Sequence, residues 1–105
     1  MRRKFEPFDA ETIKREFLAL PSEDASSLKF AMESYQWDLG TGYVVKNYGQ
    51  GLYMIKDSSH GQGRCLFFRT VIGQPERLIA LLIYKKESQE VPARVIETAR
   101  KRMEK

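Results

Sequence analysis

The sequence predicts a single α+β domain over residues 1–105, in which an antiparallel sheet of three to four strands packs against two N-terminal helices and precedes a C-terminal helix. Residues 1–40 carry apolar side chains at helical spacing, which predicts the two helices. Most of the remaining chain alternates β-branched and aromatic residues between short turns that contain glycine or proline, which is typical of antiparallel strands.

Both N-terminal helices are predicted before Gly40. Asp9 is suited to cap the first helix, and Pro21 interrupts the pattern before Ser22 restarts it. The second helix should end at Gly40, because glycine adopts the left-handed conformation that follows many helices. The apolar stripe of the first helix consists of Ile13, Phe17 and Leu20, and that of the second consists of Leu28, Ala31, Met32, Tyr35 and Leu39.

Two large apolar residues of the second helix, Phe30 and Trp37, lie off its stripe. The helix is therefore apolar on more than one face. A broad contact with the core is the favoured explanation, and a surface that binds a partner is the alternative.

The predicted strands follow Gly40, and short connections that contain glycine or proline favour an antiparallel meander. Arg3–Phe8 could add an edge strand, with the helices on one face of the sheet. Pro92 suits the first turn of the final helix, whose buried stripe is Val95, Ile96, Ala99 and Met103. The strands are Tyr43–Asn47, Leu52–Lys56, Arg64–Val71 and Leu78–Tyr84.

Positive charge is concentrated in the second part of the chain. Residues 1–43 hold six Lys and Arg against eight Asp and Glu, whereas residues 44–105 hold twelve against six. Clustered cations of this kind favour contact with a polyanion such as nucleic acid. The alternative is that they only keep the second part of the chain in solution.

Several classes of site are disfavoured by composition. One cysteine and one histidine exclude an internal disulfide and a structural zinc site, and they give no basis for arguing a Cys-His or Ser-His-Asp arrangement. Cys65 is assigned to packing within an apolar strand, and no cofactor or metal is expected. No apolar segment is long enough to cross a membrane and no signal peptide is evident, so we expect a cytoplasmic protein.

Alternation along the strands predicts an RNA-binding face on the sheet. This face would gather cations for phosphates and aromatic rings for stacked bases. RNA cleavage without a metal needs a base, positive charge at the phosphate and an acid, which lysine and arginine can supply if burial lowers a lysine pKa. The candidate residues are Lys56, Arg64 or Arg69, Lys85 or Lys86, Tyr53 and Tyr84, with His60 in the SSHGQG turn as a weaker candidate.

Three segments, GLYMIK, RCLFF and YKKESQEVP, carry a resemblance to a known family. Together with the positions of Gln89, Pro92, Ile96, Ala99 and Arg102, they resemble the HigB-like branch of the RelE/ParE toxin superfamily, phage-borne members included. The chain departs from the family pattern at Met54 to Lys56, where the family often has an acidic residue, an apolar residue and arginine.

The resemblance implies a RelE-like fold and the toxin of a type II toxin–antitoxin system. Such a toxin enters the ribosome and cuts mRNA there, and a cognate antitoxin, usually with a helix-turn-helix domain, holds it inactive. The catalytic residues implied by matching positions are Arg64, Lys85 and Lys86, with Lys56 and Tyr84 as weaker matches. Residues expected to bind RNA around them are Arg69, Tyr53, His60 and Arg102.

Two other functions fit the same fold. One is a ParE-like inhibitor of DNA gyrase, which has no RNA chemistry. The other is an inactive phage or plasmid remnant that only binds an antitoxin, which the departures at Met54 and Lys56 would allow.

Overall fold

The computed structural model describes residues 2–70 and 75–104 of the chain. It contains a five-stranded sheet and three helices, so the predicted α+β class is confirmed. Val71 and residues 72–74 of the predicted turn lie outside the described residues. In chain order the elements are β1 (Arg3–Pro7), α1 (Ala10–Leu18), α2 (Ser22–Gln36), β2 (Tyr43–Gly49), β3 (Leu52–Asp57), β4 (Gly63–Arg69), β5 (Glu76–Lys85) and α3 (Ala93–Met103).

The strands lie side by side in the order β1-β5-β4-β3-β2. Strands β2 to β5 form the predicted antiparallel meander, with Arg64 of β4 opposite Tyr84 of β5. β1 lies beside β5 and runs parallel to it, which adds a fifth strand to the three to four antiparallel strands that the sequence predicts. The long connection between β1 and β5 permits this parallel pairing, because it leaves room for the chain to return in the same direction.

Helices cover both faces of the sheet, whereas the sequence predicts them on one. α1 and α2 pack on one face, here called the α1–α2 face, and α3 packs on the other, called the α3 face. Neighbouring strand residues divide between the two cores, since Ile55 packs under α1 and α2 and Met54 packs under α3.

Within the described ranges, none of the helices has the length and apolar character needed to span a membrane.

Asp9 caps α1 as predicted, since its side chain accepts a hydrogen bond from Thr12 N. Cys65 lies fully buried on the α1–α2 face, which confirms its predicted packing role. Burial raises the pKa of its thiol, so the side chain stays protonated.

The second helix ends at Gln36, earlier than the predicted end at Gly40. Asp38 takes the left-handed conformation, with a φ of 56°, and its carboxylate accepts a hydrogen bond from Arg3 of β1 at 2.9 Å. This contact supports the turn at Asp38 and stabilises the end of the helix. Leu39 therefore lies beyond the helix, where its side chain is 61% exposed, and its predicted place in the core is wrong.

Phe30 and Trp37 lie outside the core as well. Their side chains are 59% and 56% exposed, so the favoured prediction of a broad core contact is wrong. The side of α2 that faces the core is formed by Leu28, Ala31 and Tyr35, and Phe30 and Trp37 project away from it.

Side chains from two helices close the open edge of β5 beyond Ala80, where β1 ends. Glu16 of α1 accepts a hydrogen bond from Ile83 N at 2.9 Å, and Arg102 of α3 donates one to Leu81 O at 2.9 Å. Glu16 and Arg102 also form an ion pair at 2.8 Å. Helices on opposite faces of the sheet are thus joined around its edge.

Glu16→Ala should lower the free energy of unfolding by about 1–3 kcal/mol, because it leaves Ile83 N–H without an acceptor and removes the carboxylate that pairs with the Arg102 guanidinium. Urea unfolding followed by circular dichroism measures this loss. Glu33→Ala, which removes an exposed carboxylate from α2, is the control and should cost less than about 0.5 kcal/mol. Equal losses in the two variants would contradict a bridging role for Glu16.

Candidate functional site

A polar cleft of about 150 Å³ opens on the α3 face of the sheet, beside the start of α3. Strands β2 to β5 supply its floor, and the segment between β5 and α3 supplies the facing wall. Four of the lining side chains are cationic and one is acidic. The lining residues are Lys46, Tyr48, Met54, Lys56, Arg64, Tyr84, Lys86, Ser88, Gln89, Glu90 and Val91.

Arg64 lies at the base of this cleft and is only 5% exposed. Its Nη1 donates hydrogen bonds to the carbonyl oxygens of Gly61 at 2.8 Å and Gly63 at 3.0 Å. These carbonyls hold one end of the guanidinium in place. Burial lowers the pKa of Arg64, while the nearby Tyr84 and Asp57 act in the opposite direction, and an arginine remains charged under such conditions.

The loop that holds Arg64 is attached to α2 on the opposite face of the sheet. Asp24 accepts a hydrogen bond from Gln62 N at 2.9 Å, and Gln62 O accepts one from Lys86 N at 2.7 Å. A Cβ added at Gly61 would lie 2.8 Å from Ser27 Cβ, closer than atoms of this kind approach. Glycine at this position therefore lets the loop pack against α2 and present its carbonyl to the arginine.

Lys56 projects from β3 into the same cleft. Burial is the main cause of its lowered pKa, and repulsion from Arg64, Lys86 and Lys46 lowers the pKa further. The negative charge of Asp57 acts in the opposite direction and raises the pKa of Lys56. The amine of Lys56 consequently loses its proton more readily than that of an ordinary lysine.

Two tyrosines line the cleft beside these cations. Tyr84 of β5 lies opposite Arg64 in the sheet register, and Tyr48 projects from the end of β2. Burial raises the pKa of both phenols, and the charge of Arg64 offsets part of that rise. Both hydroxyls therefore keep their protons near neutral pH and can donate hydrogen bonds.

A second cavity, of about 520 Å³, adjoins the cleft and shares several of its lining residues. Lys46, Tyr48, Gln89, Glu90 and Val91 line both, and Ile96 of α3 lies only in the second. The two cavities form one groove along the start of α3.

Of the residues predicted to be catalytic, four lie together in the cleft: Lys56, Arg64, Tyr84 and Lys86. Lys85 does not line the cleft. It neighbours Tyr84 along β5, so its side chain leaves the strand on the other side and is exposed.

The residues predicted to bind RNA lie elsewhere. Tyr53 and Arg69 are on or beside the α1–α2 face, where Arg69 lies over the Tyr53 ring and pairs with Glu76. His60 is exposed in the turn before β4, and Arg102 is engaged with Glu16 at the edge of β5. None of the four lines the cleft.

Sequence reasoning missed Lys46 and Tyr48, which belong to the cleft. The predicted strand stops at Asn47, whereas β2 continues to Gly49 with an irregularity in its pairing between these residues. Continued alternation from Val44 through Lys46 would have placed Tyr48 on the α3 face with Lys56.

Among residues 2–70 and 75–104, no group of three His, Cys, Asp or Glu side chains could hold a metal ion.

Comparison with protein families identifies the family of this chain. The family described as "Phage derived protein Gp49-like (DUF891)" matches residues 15–104, which include every residue that lines the cleft. No curated protein matches the chain.

Removal of one neighbouring cation should raise the pKa of Lys56 in the folded protein. We expect Lys56 to titrate below a lysine in an unstructured peptide, and Lys86→Met to move its midpoint upward because the charged form is then repelled less. Carbon-13 NMR of the lysine Cε atoms measures the Lys56 midpoint in the unmodified protein and in Lys86→Met. Lys29→Met, at an exposed position of α2, should leave the Lys56 midpoint unchanged. An ordinary Lys56 midpoint in the unmodified protein would contradict the described electrostatics.

Proposed function

The chain belongs to the Gp49-like family of phage-derived proteins, a toxin-like family of the RelE/HigB type, and from this membership and the geometry of the cleft we propose that it is a toxin that cuts mRNA on the ribosome. Its proposed partners are mRNA, the ribosome and a cognate antitoxin with a helix-turn-helix domain. The cleft in which Lys56, Arg64, Lys86 and Tyr84 meet carries the proposal, because these groups match the needs of RNA cleavage.

Cleavage begins when the 2′-hydroxyl of the substrate attacks the adjacent phosphorus. In the proposed mechanism the neutral amine of Lys56 accepts the proton of that hydroxyl, and the lowered pKa of Lys56 increases the amount of neutral amine. Arg64 and Lys86 stabilise the negative charge that develops on the other phosphate oxygens. The fixed position of Arg64 supports this role, since its guanidinium is already held by two carbonyls.

The bond from phosphorus to the 5′-oxygen then breaks, and the leaving oxygen needs a proton. Tyr84 is the proposed donor, because it lines the cleft opposite Arg64 and its phenol, protonated near neutral pH, can give its proton to the leaving alkoxide. The products are a 2′,3′-cyclic phosphate and a 5′-hydroxyl. The proton taken up by Lys56 returns to Tyr84 through solvent, which restores both groups.

Lys85, predicted to act beside Lys86, has a smaller part in this proposal. Its exposed position outside the cleft favours electrostatic attraction of RNA over contact with the reacting atoms. We expect Lys86→Ala to reduce activity more than Lys85→Ala does.

Lys56→Met should lower mRNA cleavage by about a hundredfold or more, since it removes the general base and keeps most of the side-chain volume. Expression in bacteria, with growth and mRNA integrity followed after induction, measures the effect. The unmodified protein should arrest growth and cut mRNA, and Lys29→Met should behave like it, because Lys29 lies on the opposite face of the sheet.

Three outcomes would overturn the proposal. Full cleavage by Lys56→Met would reject the assigned base. DNA damage with intact mRNA would identify a gyrase inhibitor on the same fold. Harmless expression of the folded, unmodified protein would indicate a remnant without activity.

A further inference from the structure

The second cavity lies next to the cationic cleft, with Tyr48 and Glu90 in the wall that the two share. Partly buried Val91 and Ile96 give it an apolar part, and the ring of Tyr48 adds an aromatic surface. A planar group with one polar edge fits this combination, because its faces contact apolar side chains while its edge meets a hydrogen-bonding group.

Glu90 supplies the polar group. It is the only acidic residue lining either cavity, and no hydrogen bond or ion pair engages its carboxylate within the described part of the chain. A carboxylate repels phosphate, so this side chain weakens simple binding of the RNA backbone. It accepts hydrogen bonds from N–H groups, which nucleobases carry and phosphates lack.

From these features we infer that the second cavity binds the nucleobase next to the scissile phosphate and that Glu90 selects guanine. The inference rests on the proposed function. Guanine presents two N–H donors side by side, N1–H and the N2 amino group, and the two oxygens of one carboxylate can accept both. Uracil presents a single N–H between two carbonyl oxygens, which the Glu90 carboxylate would repel.

The backbone around this cavity is held on both sides. Ser88 Oγ donates a hydrogen bond to Glu90 O at 2.8 Å, which closes the turn before α3. Arg100 Nη2 donates one to Tyr48 O at 3.3 Å, which ties β2 to α3. Tyr48 and Glu90 are therefore presented from anchored segments, as base selection requires.

The test maps the 5′ ends of cleaved mRNA in cells that express the unmodified protein, Glu90→Gln or Glu87→Gln. The unmodified protein should cut beside guanine in preference to the other bases. Glu90→Gln should cut with a guanine preference reduced about tenfold, because an amide offers only one acceptor. Glu87→Gln is the matched control, since Glu87 lies in the same segment but lines neither cavity.

A binding measurement separates this inference from the proposed activity. Guanosine 3′-monophosphate should shift the NMR signals of Tyr48 and Ile96 more strongly than uridine 3′-monophosphate does, and Glu90→Gln should remove that difference. The inference would be overturned if the two nucleotides shifted these signals equally, or if Glu90→Gln kept the guanine preference of the unmodified protein. Either result would leave the proposed cleavage of mRNA standing. Absence of new mRNA ends with the unmodified protein would reject the proposed function and this role of the cavity together.

Discussion

The burial of one charged side chain, Arg64, organises the rest of the cleft. A buried charge costs several kcal/mol unless polar groups surround it, and here the carbonyls of Gly61 and Gly63 supply direct hydrogen bonds. The loop that carries those carbonyls depends on Asp24 of α2 and on close packing at Gly61. A helix on the α1–α2 face thus supports the loop that holds the guanidinium on the α3 face.

The same cleft gathers more positive charge than its surroundings neutralise. Lys56 lies near Arg64, Lys86 and Lys46, and the resulting repulsion adds to burial in lowering its pKa. A lysine whose pKa is lower in the folded state than in the unfolded state destabilises the fold while it is protonated. That penalty is fully present below the folded pKa and disappears as the pH rises to the unfolded value. A bound phosphate would relieve the repulsion, which favours an interpretation of the cleft as an anion-binding site.

The sequence predicts the helices and the meander well because each rests on local patterns, such as the Asp9 cap and the alternation around Met54 and Ile55. It does not predict which face each candidate occupies. Arg64 and Arg69 leave β4 on different faces, and only tertiary packing decides that the cleft forms around Arg64. The parallel pairing of β1 depends on contacts distant in sequence and has no local signal.

The most direct test of the account is an NMR titration of the protein with a short single-stranded RNA that carries 2′-O-methyl groups and cannot be cleaved. RNA bound in the cleft should shift the signals of Lys46, Tyr48, Lys56 and Lys86, while those of Tyr53 and Arg69 stay in place. Shifts centred on Tyr53 and Arg69 would place the RNA on the α1–α2 face and contradict the assignment of the cleft.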